Sequence, residues 1–379
     1  MNGMFESGLI GLTQGLSHLT IPNLVMMAVG CVLLYLGIKK DCEPLLLVPI
    51  GFGALLVNIP LAELMGEEGL FRQFYRAGIL TEIFPCLIFL GIGAMTDFGP
   101  LLEKPRILLL GAAAQFGIFL TILLALALGF DRLDAVAIGI IGACDGPTSI
   151  YVTSKYAPHL LGAVSVAAYS YMALVPIIQP PIMRLLTTDR ERKIRMEYPA
   201  KSVSKTVKMT FPIVVTLVTC LIAHLGTPLM GMIMLGNLMK ESGVVNRLTK
   251  ASENEITNVV TLLLGLTIGA TMEGSKFLNP QTLLILGLGF IAICLDTVAG
   301  VLFGKLMCLL SGGKINPLIG AAGISAYPMA ARVVHLEGRK CDSNNWLLMH
   351  AMGANTGGQI GSVMAAGILL SVLKGMGIA

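Results

Sequence analysis

Charge is scarce in this sequence. Only 13% of its 379 residues are Asp, Glu, Lys or Arg, against about 25% in an ordinary soluble domain. Aromatics are few as well, 6%, with a single Trp. The eight Cys form no CxxC pair and no metal-ligand spacing. Most lie in apolar runs and read as small core residues, which argues against redox and transition-metal functions. No ten-residue alternating segments appear, which excludes a transmembrane β-barrel. The beginning of the chain has no basic stretch followed by a cleavage site, so no signal peptide is expected. What remains is a chain that is 55% hydrophobic, with its charges bunched between long apolar runs. That pattern predicts an all-α polytopic membrane protein.

Apolar runs fall near 21–38, 44–60, 79–96, 107–130, 134–152, 160–183, 207–225, 226–240, 256–272, 281–310, 314–334 and 347–373. Two of the twelve, 134–152 and 314–334, are interrupted by Gly, Pro and polar residues. Residues 4–17 read as an amphipathic segment lying on the membrane surface. The stretch 184–208 carries eight Lys/Arg against three acids, which marks it as cytoplasmic. The expected organisation is an interfacial segment over 1–20, a first membrane repeat over 21–183, a basic linker over 184–206 and a second repeat over 207–379. Five crossings plus one interrupted, re-entering segment per half place Lys39/Lys40, Lys104/Arg106, Lys240/Arg247/Lys250 and Arg339/Lys340 inside with the linker.

The halves resemble each other. GAMTD (93–97) matches GATME (269–273), and each is followed by a Pro and a new apolar helix. Gly142 and Pro147 bracket ACDG, while Gly323 and Pro328 bracket ISAY at the same spacing. An odd number of crossings per half makes the second copy inverted. Inverted repeats with Gly/Pro-interrupted segments at matching positions mark secondary-transporter folds, whose site lies near the bilayer midplane where the broken segments meet.

Asp145 lies in the first interruption. A carboxylate inside a membrane is a functional candidate by default, although a buried structural acid would look the same. Gly146-Pro147 breaks the helix and frees carbonyls for an ion, and hard cations take oxygen ligands. Thr148, Ser149, Asn316, Ser325, Asn355 and Thr356 offer them. Each has an ordinary reading beside the functional one. Asn316 is equally an Asn-Pro helix start, and Ser325 a small packing residue. Asn355, in GANTGGQIGS, belongs either to another backbone break or to a Gly-rich packing face. Arg332 is equally a snorkelling interfacial cation. Tyr169 and Tyr171 are core aromatics unless one hydroxyl reaches the site. Asp97 and Glu273 read as helix ends near water. Asp296, in ICLDTVAG, is a second acid embedded in apolar sequence. These features fit a Na⁺-coupled transporter or Na⁺/H⁺ antiporter as well as any more specific pump; a channel fits the repeat and single buried acid less well.

GAMTDFGPLL, GAAAQFGIF, CDGPTSIY, AAYSYMALVPIIQPPIM, GNLMKESG and NPLIGAAGISAYPMAARV, with the Asn355 segment, resemble the β subunit of the sodium-pumping biotin-dependent decarboxylases. That family includes the oxaloacetate, methylmalonyl-CoA and glutaconyl-CoA decarboxylases. The 61–78 loop is shorter than expected for the oxaloacetate enzymes, which leans toward the acyl-CoA members. The resemblance implies a multi-pass subunit of the inner (cytoplasmic) membrane that decarboxylates carboxybiotin and exports Na⁺ while consuming a proton. It implies Asp145 as the principal Na⁺ acid, with Asn316, Gly320, Ser325 and Asn355 lining the ion site. Tyr171 would handle Na⁺ or protons, and Arg332 would meet the carboxylate of carboxybiotin. The implied partners are an α carboxyltransferase subunit, a biotin-carrier subunit that supplies carboxybiotin, and a small membrane-anchored subunit, in an oligomer without nucleic acid.

Overall fold

The computed structural model describes residues 14–197 and 203–378. They form helices and connecting turns, with no strand among the described residues. Six helices are long and apolar enough to cross a membrane: Ile21–Lys39, Pro105–Ala127, Pro158–Leu186, Lys205–Ile222, Pro280–Leu310 and Leu348–Gly375. A bent pair, Leu70–Ile79 with Ile83–Met95, makes up to seven. The protein is therefore an all-α polytopic membrane protein. Each of the twelve expected apolar runs contains helix. Of the expected surface segment at 4–17, residues 4–13 lie outside the described residues, as do 198–202 of the linker.

Contacts divide the chain into two units, each drawing on sequence from both sides of the basic linker. One comprises 14–83 and 258–284; the other comprises 84–257 and 285–378 within the described residues. In the first, Thr20 caps Ile21–Lys39 and Pro22 opens it, an arrangement suited to the free N–H groups of a helix start. Pro44–Val57 packs back along it with Gly30 against Gly51. The buried Asn58 side chain donates to Ala54 O (2.8 Å) and Met272 O (2.9 Å) and accepts from Gly274 N (2.8 Å). One amide thus satisfies three backbone groups that have no water to turn to.

The second unit holds both interrupted segments. The first runs as Arg132–Gly139, tightens to a 3₁₀ turn over Ile140–Ala143, and stops at Cys144, whose φ is +53°. Asp145 is extended and caps the next helix, Gly146–Tyr156, which has Pro147 in its first turn. The second runs as a 3₁₀ stretch, Pro317–Gly323, becomes extended at Ile324, and resumes as Met329–Cys341. Asn355 lies in neither break. It sits within the continuous helix Leu348–Gly375, so GANTGGQIGS is the Gly-rich packing face of that helix.

That face explains how the second break is held. A Cβ on Gly358 would strike Gly323 O, one on Gly323 would strike Leu110 O, and one on Gly304 would lie 2.5 Å from Pro317 O. Gly300 and Gly320 meet backbone to backbone in the same way. Gly300 and Gly304 form the small-xxx-small spacing that lets membrane helices approach closely. Gly300→Ala is expected to destabilise the protein by about 1–3 kcal/mol, the cost of overpacking. Gly231→Ala, where a Cβ meets nothing within 4 Å, should stay within about 0.5 kcal/mol. Thermal unfolding in detergent compares the two; equal effects would mean that the glycine contact does not hold the break.

Candidate functional site

The two breaks touch. Ser325 N donates to Ala143 O at 3.2 Å, a backbone hydrogen bond from one interrupted segment to the other. Asp145, 5% exposed, sits two residues beyond that contact. Thr148 Oγ1 donates to its Oδ2 at 2.6 Å, Ser362 Oγ at 3.0 Å, and Thr148 N reaches Oδ1 at 3.4 Å. The carboxyl group is thus coordinated by its own helix start and by a Ser on the Gly-rich helix. A helix N-terminus favours negative charge, which gives a physical reason for an acid at this position.

The side chains around the second break share a feature, found also at Asn237 and Asn345. Asn355 Nδ2 donates to Ile324 O (2.6 Å), Gln115 Nε2 to Gly323 O (3.2 Å) and Gln179 Nε2 to Ala321 O (2.7 Å). Each amide uses its NH₂ on a carbonyl of the break, and its own oxygen is left buried without a partner. An unsatisfied buried polar group costs about 1–3 kcal/mol, while an amide oxygen is an ordinary ligand for a hard cation. Ser325 Oγ donates to Gly358 O at 2.8 Å, on the same ring of backbone.

The structure therefore brings Asp145, Ser325 and Asn355 to one crossing. It gives Asn316 other partners. Asn316 caps the 3₁₀ stretch through Leu318 N (3.0 Å), and its Nδ2 takes Arg192 O (3.0 Å) and Ile194 O (2.8 Å). Asn345 takes the same two carbonyls, at 2.9 and 3.2 Å. Asn316 thus ties the linker down. Gly320 contributes its backbone contact with Gly300. Tyr171 donates to Leu286 O at 2.6 Å and packs edge-on against Phe290, so its hydroxyl is engaged away from Asp145. It is Tyr169 whose ring lies against Gly146, within electrostatic reach of Asp145, with a buried and unpaired hydroxyl. Residues two apart on a helix point about 200° apart, so only one of the two tyrosines can face the break. Gln115, Gln179 and Ser362 were not singled out by the sequence reading; a polar residue inside an apolar helix was the only signal for them.

Arg332 is exposed on Met329–Cys341, one turn from the break. Its guanidinium has no ion-pair partner among the described residues; its electrostatic neighbour is Tyr327. Further along the same helix, Glu337 is clamped by Arg184 (2.8 Å through both nitrogens) and Lys340 (2.5 Å). Asp342 pairs with Arg195 at 2.6 and 3.0 Å. Arg332 therefore lies on a helix whose far end is fastened to the basic linker.

A family model described as the Na⁺-transporting oxaloacetate decarboxylase beta subunit matches residues 22–373. The chain belongs to this family. It is 53% identical to the glutaconyl-CoA decarboxylase subunit beta of Acidaminococcus fermentans, over 98% of this chain and 96% of that one. It is 53% identical to the methylmalonyl-CoA decarboxylase subunit beta of Veillonella parvula, over 97% and 96%. Identity to the oxaloacetate decarboxylase beta chain of Klebsiella pneumoniae is 49%, over 96% and 98%.

The linker anchorage has a pH signature. The Arg195 guanidinium hydrogen-bonded to Asp342 holds its carboxyl below the usual Asp value. A lowered native value stabilises above the unfolded pKa, about 3.9, and the contribution is lost as pH falls through the native value. Protection of residues 190–197 against amide hydrogen exchange should be level from pH 8 to 5 and fall below about pH 4, and Arg195→Ala should remove the step. Asn316→Ala should lower the same protection about tenfold, the loss of about one hydrogen bond's worth of stability. Unchanged protection would leave Asn316 without its anchoring role.

Proposed function

We propose that this chain is the membrane subunit of a Na⁺-pumping decarboxylase, which couples loss of CO₂ from carboxybiotin to export of Na⁺ across the inner membrane with consumption of a proton. An α carboxyltransferase subunit, a biotin carrier and a small membrane-anchored subunit complete the complex. The observation that carries the reading is the junction of two helix breaks, one bearing the buried Asp145 carboxylate and the other covered by amides whose oxygens are buried and unpaired. One carboxylate with neutral oxygens suits a monovalent hard cation, and such junctions are where secondary transporters bind their ions.

In this mechanism Asp145 supplies the negative charge for Na⁺. Thr148 and Ser362, whose hydroxyls donate to Asp145 here, turn their lone pairs toward the ion. Ser325 from the second break and Asn355 from the Gly-rich helix complete the ligand set, and Asn316 and Gly320 hold that break in place. Arg332 meets the carboxylate of carboxybiotin from the linker side, where a planar guanidinium matches a planar anion. The bond between the biotin nitrogen and CO₂ breaks, and a proton takes the place of CO₂. Na⁺ moves because its affinity differs between conformations that the carboxybiotin site also distinguishes. Tyr169, beside Gly146, is better placed than Tyr171 to sense the charge on Asp145. The two halves, in this reading, are inverted repeats whose breaks form the crossing.

The test is ²²Na⁺ uptake and CO₂ release from carboxybiotin by the reconstituted complex. Asp145→Asn should lower both by about two to three orders of magnitude, as expected for removing the counter-charge of a buried ion. Arg332→Ala should raise KM for carboxybiotin by about 10- to 100-fold, the loss of charge-assisted hydrogen bonds, and leave Na⁺ binding intact. Na⁺ exchange at Asp145 with no CO₂ release by the complete complex would instead identify a plain Na⁺ transporter or antiporter.

A further inference from the structure

Asp296 lies in the middle of Pro280–Leu310 and is fully buried. Both of its carboxyl oxygens lack a hydrogen-bond partner. The slot that holds it is made by two glycines from different elements. A Cβ on Gly117, at the start of Phe116–Ala127, would collide with Asp296 Oδ1; one on Gly142, in the 3₁₀ turn of the first break, would lie 2.8 Å from Oδ2. The other atoms nearest these glycines are Ala292 O beside Gly117, and Ile118 N and Ala292 Cβ beside Gly142; none is a side-chain donor or acceptor. The Gly117 N–H points toward the carboxyl without completing a hydrogen bond. No cationic side chain reaches it among the described residues. The facing titratable group is the Cys144 thiol, which lies within electrostatic reach of Asp296 and also of Asp145 on the other side of the break.

An ionised carboxylate cannot persist there. Moving a bare carboxylate into such surroundings carries a penalty of several kcal/mol even after relaxation. A buried acid without donors or counter-charge therefore keeps its proton. A bound Na⁺ would need several oxygens around it, and beside the carboxyl the atoms nearest the two glycines include only one further oxygen, Ala292 O. The two acids flanking the first break are thus built differently. Asp145 has two hydroxyl donors, whereas both Asp296 oxygens lack a partner.

We propose that Asp296 is a proton site separate from the Na⁺ site, and that it delivers the proton consumed when CO₂ leaves. Gly142 belongs to the break that carries Asp145. A shift of that break on Na⁺ binding or release moves one wall of the slot and admits water. Asp296 then gives its proton toward the biotin nitrogen and becomes a carboxylate, and it regains a proton from the outer side before the slot closes. The service to decarboxylation rests on the function proposed above; the protonated state of Asp296 does not.

Infrared spectra of the reconstituted complex, with aspartate carboxyls ¹³C-labelled, test both parts. Among the described residues Asp145 and Asp296 are the only buried aspartates. In an Asp145→Asn background the carbonyl band of a protonated, labelled carboxylic acid should remain at neutral pH and not respond to Na⁺. Its absence would show Asp296 ionised and overturn the proposal without any substitution at 296. Asp296→Asn should remove the band and keep Na⁺ affinity within about threefold, a small change on the scale where tenfold is about 1.4 kcal/mol. It should slow decarboxylation by about 10²–10⁴-fold, the range for loss of a proton-transfer group, and flatten its pH profile. A tenfold or greater loss of Na⁺ affinity would place Asp296 in the Na⁺ site, and a normal rate with a normal pH profile would remove it from the proton route. If the unsubstituted complex released no CO₂ at all, the decarboxylase reading would fail while the infrared band still decided the state of Asp296.

Discussion

Everything at the centre of this protein follows from the hydrogen bond between Ser325 N and Ala143 O and from what it takes to have one there. Backbone that leaves helical geometry inside a membrane finds no water and must be satisfied by protein. Two segments do so at one place, and each supplies part of what the other lacks. Glutamine and asparagine side chains on three neighbouring helices cover the carbonyls that remain, at Ala321, Gly323 and Ile324. Each such cover leaves an amide oxygen unpaired. The means of stabilising the second break thus leaves buried, unpaired acceptors on it, and the first break, hydrogen-bonded to it, carries the Asp145 carboxylate; the proposed cation site draws on both.

The same economy of space governs the packing. Glycines line the contacts of the second break because backbone approaches backbone, as at Gly300 with Gly320 and Gly323 with Gly358. Such contacts are stiff and leave few intermediate positions. A packed arrangement of this kind moves between discrete states more readily than it deforms. In the proposed function, ion occupancy at Asp145 and anion occupancy near Arg332 would bias one common equilibrium. Arg332 is carried on the helix that begins where the second break ends, and the other end of that helix is pinned to the linker through Glu337 and Asp342.

Much of this could be read from the residues alone. Scarce charge and long apolar runs gave the helical membrane class, and Gly146-Pro147 beside Asp145 marked a break because proline ends the hydrogen-bond ladder and an acid favours the helix start that follows. Side-chain direction could not be read so easily. Tyr169 and Tyr171 are equivalent in an apolar string, and only the phase of the helix puts Tyr169 on Gly146. Asn316 was open to two readings, an oxygen for the ion and an Asn-Pro helix start; it does cap the 3₁₀ stretch, and its amide holds Arg192 O and Ile194 O, partners more than 120 residues away. Gln115, Gln179 and Ser362 gain their meaning from carbonyls that a local reading would assign to helical bonds. The Gly-rich stretch around Asn355 could equally have been a break or a packing face, since glycine serves both; continuous helix decides for packing.

The most direct test of the central claim is chemical modification of Asp145 by a membrane-permeant carbodiimide, which reacts with protonated carboxyl groups, followed by mass-spectrometric mapping with and without Na⁺. A carboxylate that binds Na⁺ at the crossing of the breaks predicts saturable protection of Asp145 by Na⁺ and none by K⁺ at the same ionic strength. Labelling of Asp145 that is indifferent to Na⁺ would contradict the account.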